Sequence, residues 1–390
     1  MIVGIVGAGT MGAGIAQVCL AAGHTVRLFD ASPEAVARGT QRIADGLDRL
    51  VARKRLAADA RDAALDRLSA WPALGDVATG ADIVIEAAIE ELDAKRAIFG
   101  VLDMAAPPGA LLATNTSALS VGAIAEASGR PGRVLGLHFF NPAPLMDLVE
   151  VVAGARTDPA TMAAAEAFVA GLGKRPVACH DAPGFIVNRV NRPFTLEALR
   201  IVEAGEAGIA DVDAALVEAG FRMGPFALMD LTGIDVNLAV ARSLNEAFGG
   251  AERFRPVAIQ ERLVEAGTLG RKTGLGFYRY DTAGEAAGPA PEFLPGTGGA
   301  AGTPALAADE IRTRIELAVV NEAYLAAADG VATPPDIDLA LRLGANHPYG
   351  PFERAAALGL RHVVSELRRL ERLHGERFRV APALWQVASI

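Results

Sequence analysis

The chain has 390 residues, 51% of them apolar, and a formal net charge of −9. That length predicts two or three domains with ample material for a large core, and the negative charge excludes a whole-chain nucleic-acid binder. No apolar run reaches membrane-spanning length, no basic leader precedes the first strand, and the only cysteines, Cys19 and Cys179, lack metal spacing. The expectation is a cytoplasmic protein in a reducing compartment, with no metal, membrane or nucleic-acid partner.

Ile2 to Val6 is a short apolar strand that runs into Gly7-Ala8-Gly9-Thr10-Met11-Gly12, a G-x-G-x-x-G. A helix over Ala13 to Ala22 follows, then a strand from Thr25 that ends in Asp30. A lone glycine triplet is weak evidence, but strand, triplet, helix, strand and terminal acid in one unit form a dinucleotide-binding signature. Gly7 permits the tight turn, Gly9 lets the backbone approach a pyrophosphate, and Gly12 lets the helix pack on the sheet with its N-terminus facing the anion. Asp30 is placed to accept hydrogen bonds from a ribose 2′-hydroxyl and repels a 2′-phosphate, and Ala31-Ser32-Pro33 offers no arginine to bind one, so NAD is favoured over NADP.

Residues 33–70 read as two antiparallel helices inserted in the domain, with Arg49, Arg53, Lys54 and Arg55 near the end of the first. This run suits either a solvated face or a docking site for a phosphorylated handle. Strand, helix and strand resume at Asp82 to Glu86, Glu91 to Met104 and Ala110 to Ala113, delivering Asn115-Thr116-Ser117 at a carboxyl end, where open parallel sheets bind ligands. Ser117 is equally suited to cap the helix near Val121.

The stretch Leu135 to Val152 opens and closes as a strand, with Asn141-Pro142-Ala143-Pro144 breaking its middle. Folding it back around Pro144 sets His138 opposite Glu150. A carboxylate inside Leu-Val-Glu-Val-Val is costly to bury unless paired, and an imidazole held by it has one ring nitrogen fixed and the other free for a proton. The bland alternative is an edge strand with a solvated Glu150 and a core His138.

Beyond a helix at Pro159 to Leu172 and a strand at Pro176 to Cys179, Asp181-Ala182-Pro183-Gly184 reads as a hinge. Helical periodicity then takes over. Phe185 to Ala204 reads as one long helix kinked at Pro193, with Asn188 one turn inside its start. An asparagine there is either functional or an exposed polar position. Residues 281–304 read as a Gly, Ala and Pro linker. The remainder echoes the helical stretch: Asp336-Ile337-Asp338 echoes Asp211-Val212-Asp213, and Tyr349-Gly350-Pro351-Phe352 echoes Met223-Gly224-Pro225-Phe226. No counterpart of Phe185-Ile186-Val187-Asn188-Arg189 is expected, since Ile311-Arg312-Thr313-Arg314 stands there. The fold class is an α/β Rossmann-type domain (1–182), an all-α domain (183–280), the linker, and a second, degenerate all-α unit (305–390).

Residues 1 to about 280 resemble the 3-hydroxyacyl-CoA dehydrogenases, including 3-hydroxybutyryl-CoA dehydrogenases, through VGAGTMGAGIAQV, Asn115-Thr116-Ser117, GLHFFNP, LVEVV, PGFIVNR, MGPF and GRKTGLGFY. Longer bacterial members, including those similar to 3-hydroxyadipyl-CoA dehydrogenases, carry a second helical unit. The resemblance implies reversible, NAD-dependent oxidation of an (S)-3-hydroxyacyl-CoA. It implies His138 as base, Glu150 as its orienting partner, and Ser117 and Asn188 on the substrate oxygen. It places Asp30, Glu90, Lys95, Ser117, Asn141 and Lys272 at NAD. Arg53 would meet CoA beside Lys54, while Gly46 stands where the family has a CoA-binding Ser, which puts that contact in doubt. By the same resemblance the chain is either a homodimer or an internally pseudo-dimeric monomer, with the second unit packed on residues 185–280 or swapped. Rival readings are an NAD-dependent dehydrogenase of a free hydroxy acid, similar to the gulonate-dehydrogenase-like crystallins, and a catalytically silent binding protein. The basic run and the HFFNP wording favour CoA, and the intact quartet Ser117, His138, Glu150 and Asn188 argues against silence.

Overall fold

The computed structural model describes residues 1–293 and 306–388. The chain divides into two compact units, Met1–Phe185 and Ile186 onward.

The first unit alternates strands and helices in chain order. They are β1 (Ile2–Val6), α1 (Thr10–Ala21), β2 (Thr25–Phe29), α2 (Pro33–Ala52), α3 (Ala58–Leu65), β3 (Leu68–Ala70), α4 (Leu74–Ala78), β4 (Ile83–Glu86), α5 (Leu92–Ala105), β5 (Leu111–Thr114), α6 (Val121–Ala125), β6 (Val134–Phe139), β7 (Leu148–Ala153), α7 (Pro159–Gly171) and β8 (Arg175–His180). One sheet runs in the order β3-β2-β1-β4-β5-β6-β7-β8. The first six strands are mutually parallel, β7 turns back antiparallel to β6, and β8 lies parallel to β7. The chain reverses its direction of strand addition beside β1, which lies between β2 and β4, and an open α/β sheet binds ligands at such a point.

The strands are apolar nearly throughout because both faces are covered. Val3, Ile5, Ile83, Ile85, Leu135 and Leu137 face one core with Ile15, Leu20 and Ile43, whereas Val6, Val84, Leu112 and Val134 face a second with Phe99 and Leu102. The insertion is not helical to its end. After α2 and α3 it returns as β3, which adds an edge strand through Val26, Leu28 and their neighbours. Three residues are too few to show a period, so the helix pattern hides the strand.

The second unit contains α8 (Val187–Val190), α9 (Arg192–Glu203), α10 (Ile209–Glu218), α11 (Pro225–Thr232), α12 (Ile234–Ala247), a 3₁₀ turn at Glu252–Phe254 and α13 (Ala258–Glu265). A hairpin of β9 (Tyr278–Tyr280) and β10 (Ala286–Pro289) follows. Then come α14 (Ala308–Ala328), α15 (Pro334–Gly344), α16 (Pro351–Leu358), α17 (Leu360–His374), a 3₁₀ turn at Glu376–Phe378 and α18 (Pro382–Ala388).

Three expectations change here. The helix read over Phe185 to Ala204 is two pieces, broken at Asn191. Pro193 does not kink a continuous helix but occupies the first turn of α9, where its missing N–H costs nothing. The stretch read as a linker begins as the β9–β10 hairpin, and its remainder, 294–304, lies outside the described residues. The repeat also reaches further back than its wording suggests. Aligning Ile311 with Ile186 sets Arg314 on Arg189 and Glu322 on Glu197, and the contacts are reciprocal. Arg189 Nε donates to Glu322 at 2.8 Å, and Arg314 Nε donates to Glu197 at 3.0 Å. The two Glu-Arg-Phe turns complete the pattern, Arg253 reaching Glu322 at 2.7 Å and Arg377 reaching Glu197 at 2.9 Å. Asn188 has no like in this register, with Thr313 in its place.

Each half repeats a local device as well. Asp213 accepts from the Phe226 and Ala227 N–H groups at the start of α11, and Asp338 accepts from Phe352 and Glu353 at the start of α16. A Cβ at Gly224 or Gly350 would lie 2.3 Å or less from the matching aspartate, so glycine is required at both.

Candidate active site

The glycine turn between β1 and α1 is built as a cradle. Gly7 sits at φ +104°, and a Cβ there would come within 2.4 Å of the Ala87 carbonyl oxygen; at Gly12 it would come within 1.8 Å of the Gly7 oxygen. At Gly9 a Cβ would meet nothing within 4 Å, so that side of the backbone is open. No side chain caps α1, which leaves the N–H groups at Thr10, Met11 and Gly12 to an anion. Asp30, just past β2, accepts from the Ala8 N–H at 2.8 Å and the Ser32 N–H at 3.0 Å. It therefore shapes the turn as well as standing ready for a ribose.

At the carboxyl end of β4 stands Glu86, wholly buried. It accepts from Lys95 Nζ at 2.6 Å, Thr114 Oγ1 at 2.7 Å and the Ala88 N–H at 2.7 Å. Lys95 is itself buried and lies 3.3 Å from Glu90, so its ammonium is already held between two carboxylates. Glu90 accepts from Thr116 Oγ1 at 2.6 Å and from the Ser117 and Ala118 N–H groups at 2.8 and 3.1 Å. Burial works against the Glu90 anion, but Thr116, Lys95 and the backbone donors outweigh it and hold its pKa below the ordinary carboxylate value. The chain Glu86, Lys95, Glu90 fixes the loop that carries Ser117. The capping role weighed for Ser117 falls to Ser120, whose Oγ accepts from the Ala123 N–H at 3.1 Å.

His138 and Glu150 are direct partners across the antiparallel β6–β7 pair. Nδ1 of His138 lies 2.5 Å from Glu150 Oε2, and Glu150 has no solvent exposure. The imidazole rests against Phe140 and Phe185, with ring centroids 4.5 and 5.8 Å away. Beside it the Phe139 N–H donates to Asn115 Oδ1 at 2.9 Å, tying the ends of β5 and β6 together. The bland reading of a solvated Glu150 does not hold.

The first unit thus sets the glycine turn, Asp30, Glu90, Ser117 and His138 at or just beyond the carboxyl ends of its parallel strands, with Asn141 exposed just beyond β6. Arg49, Arg53, Lys54 and Arg55 are exposed and make no ion pair among the described residues; Lys54 has φ +56°. Gly46 is buried, and a Cβ there would lie 2.0 Å from Gln17 Oε1, so this position is closed to a ligand. Asn188 and Lys272 belong to the second unit. Asn188 is half-buried in α8; Lys272 is exposed and holds both oxygens of Asp235 at 2.6 and 2.7 Å. Glu86, Asn115 and Thr116 escaped the sequence reading as positioning groups. The signal for Glu86 was present: an acid closing the wholly apolar run Ile83 to Ile85, the same clue that singled out Glu150.

Among the described residues no helix is long and apolar enough to cross a membrane, and no cluster of three or more His, Cys, Asp or Glu could hold a metal.

Comparison with known proteins follows the same division. Residues 2–182 match the family of the 3-hydroxyacyl-CoA dehydrogenase NAD binding domain, and residues 184–280 and 311–389 match the C-terminal domain of that family. A 3-hydroxyadipyl-CoA dehydrogenase of Escherichia coli K12 is 38% identical across 100% of this chain and 97% of its own length. A 3-hydroxybutyryl-CoA dehydrogenase of Bradyrhizobium diazoefficiens is 42% identical over 71% of this chain and 94% of its own. The crystal structure of a 3-hydroxybutyryl-CoA dehydrogenase from Escherichia coli K12 superposes with a TM-score of 0.89 at 37% identity, covering 100% of this chain and 98% of that one.

Proposed function

Since this chain belongs to the 3-hydroxyacyl-CoA dehydrogenase family, an oxidoreductase family that acts on CH–OH groups with NAD, we propose that it oxidises an (S)-3-hydroxyacyl-CoA reversibly to the 3-oxoacyl-CoA through His138. The open side of Gly9, the uncapped start of α1 and Asp30 fit a dinucleotide, and NAD, when bound there, supplies the hydride acceptor. His138 takes the 3-hydroxyl proton on Nε2. Glu150 holds Nδ1, selects the tautomer that leaves Nε2 bare, and stabilises the imidazolium that forms. Ser117 and Asn188 hydrogen-bond the substrate oxygen and offset the charge that builds on it. Arg53 and Lys54 meet the phosphates of CoA.

The observation that carries this reading is the 2.5 Å contact between His138 and the fully enclosed Glu150. A carboxylate has no reason to lie inside a strand pair except to hold the imidazole opposite. The two relatives, a 3-hydroxyadipyl-CoA and a 3-hydroxybutyryl-CoA dehydrogenase, agree in the reacting group and differ in the chain beyond it. Residues 306–388 take the place of a partner subunit's helical domain, which makes the working protein a single chain.

The test is NADH consumption with acetoacetyl-CoA, with longer 3-oxoacyl-CoA thioesters, and with the matching free 3-oxo acids. Turnover of thioesters alone is expected. Equal turnover of the free acids would overturn the CoA reading, and inactivity on every thioester would overturn the reaction itself.

A further inference from the structure

The last helices of the second unit carry a positive charge that their own acids do not balance. From Gly359 to Ile390 there are six arginines, three glutamates, and no lysine or aspartate, in a chain of net charge −9. All three glutamates are engaged locally. Glu366 holds Arg369 at 2.8 Å, and Glu376 and Glu371 lie 3.1 and 3.7 Å from Arg379. Arg377 turns inward to Glu197 and Glu252 at 2.9 and 3.3 Å. That leaves Arg361, Arg368 and Arg372, which are exposed and make no ion pair among the described residues.

These three share one line on α17. Steps of seven and four residues are close to whole turns, so the side chains fall within about 20° of a common line, spread over roughly 16 Å of helix. Apolar surface lies beside it. Leu373 is 62% exposed, and Trp385 and Val387 on α18 are each 45% exposed. The Arg368 guanidinium sits 5.4 Å over the Trp385 ring, which puts the indole at the margin of the row. Arginine and tryptophan are the side chains that most often anchor protein–protein contacts.

The repeat shows that the fold does not require the row. Gly233 and Gly359, at φ +98° and +85°, open α12 and α17 and fix the register between them. The buried faces correspond: Leu238, Ala241 and Leu244 fall on Val364, Leu367 and Leu370. On the exposed face Asp235, Arg242 and Glu246 fall on Arg361, Arg368 and Arg372. In the first copy the signs are therefore mixed, with Asp235 held by Lys272 at 2.6 Å and Arg242 held by Glu261 at 2.8 Å. The wholly cationic row belongs to the second copy.

We propose that this face of α17 docks an acidic helical segment of another protein, with carboxylates at the same seven- and four-residue spacing and an apolar side chain against Trp385. A narrow, linear partner fits better than an anionic plane. Glu371 and Glu376 stand close to the end of the row and would meet lipid headgroups as like charges.

The probe is a synthetic helical peptide with glutamates at that spacing and a leucine on one flank; a scrambled peptide of the same composition is the control. The chain has two tryptophans, so Trp71→Phe leaves the emission to Trp385. At low salt the acidic peptide should shift that emission saturably, and the scrambled peptide should bind severalfold more weakly. Arg361→Gln, Arg368→Gln and Arg372→Gln together should weaken binding roughly tenfold, the combined worth of three exposed ion pairs. Dehydrogenase rates on acetoacetyl-CoA should not change. Reversing all three arginines to glutamate should transfer binding to a lysine version of the peptide, which a merely structural role would not produce. No response to the acidic peptide, an equal response to the scrambled one, or undiminished binding by the triple variant would overturn the proposal. Tighter cosedimentation with phosphatidylglycerol vesicles than binding to the peptide would assign the face to lipid and overturn it too. If the triple variants do not fold, Arg372→Gln alone decides by the same titration, through a loss of about twofold.

Discussion

Glu150 and His138 face each other from positions where neither has much water to fall back on, so each is the other's environment. Removing one takes a hydrogen bond from a buried polar group, and the loss is felt at the second residue. His138→Ala and Glu150→Gln should each cut turnover by about a hundredfold to ten-thousandfold, the usual worth of acid-base help, and the double variant should be little worse than the single ones. Steady-state rates on a 3-oxoacyl-CoA check this, with NADH affinity as the control; losses that multiply in full would show two independent roles. Asp30 is a different case, because its carboxylate also holds the Ala8 N–H and so part of the glycine turn. Asp30→Ala should therefore weaken NADH binding while relaxing the bias against NADPH. Asp30→Asn, which can still accept from Ala8, should retain more NADH affinity than the alanine variant. Fluorescence titration with both nucleotides separates the two contributions, and identical losses in both variants would show that charge alone matters.

At the scale of elements, the end of β4 shows how a buried charge organises a loop. Glu86 is wholly buried, Lys95 nearly so, and the lysine arrives from α5 to meet the acid. Breaking a buried pair from one side costs about 3–5 kcal/mol, whereas removing both charges can be close to neutral. Lys95→Met should lower the denaturant midpoint on that scale, and adding Glu86→Gln should recover part of it, because the Gln oxygen can still accept from the Ala88 N–H while its nitrogen donates to Thr114 Oγ1. Chemical denaturation of the three variants decides; a single variant as stable as the wild type would sink the argument. This network also marks the limit of what the residues disclosed in advance. Periodicity and turn chemistry exposed β1, α1, β2 and the β6–β7 pair, because those signals are local and long. The strand pairing that joins His138 to Glu150 was legible since Pro142 and Pro144 force a reversal and the register follows from it. The partner of Glu86 was not, because nothing local ties a lysine on α5 to an acid nine residues earlier. Likewise β3 was too short for a period, and the break at Asn191 falls in the turn before Pro193, whose missing N–H and ring interrupt the helix there, so that the proline separates two helices where a kink was expected.

At the scale of the whole molecule, the second unit pairs two copies of one helical design. Reciprocal contacts, in which Arg189 meets Glu322 while Arg314 meets Glu197, are what a two-fold relation produces. The surroundings of the two matched glutamates have since diverged. Burial disfavours the Glu197 anion, yet Arg200, Arg314 and Arg377 outweigh it and hold its pKa low; at Glu322 burial prevails over Arg253 and Arg189 and pushes the pKa up. Between the copies also lies His347, whose Nε2 donates to Asn191 Oδ1 at 2.8 Å. Phe194 and Phe221 stand 5.5 and 4.9 Å from its ring. Burial among these rings lowers its pKa from 6.5 to about 3. The folded protein therefore keeps His347 neutral, while the unfolded chain takes up a proton once the pH falls below about 6.5. Stability from this residue is complete above that value and drains away as the pH drops toward 3. Two pH units below the unfolded pKa, the loss is at most about 3 kcal/mol. His347→Phe keeps an aromatic ring in the site and has no proton to bind. Its stability relative to the wild type should rise steadily from pH 6.5 to pH 4.5, as urea midpoints at each pH would show. Parallel curves for the two proteins through that window would mean that His347 takes no proton on unfolding, and the seam between the two copies would then owe its acid response to other groups.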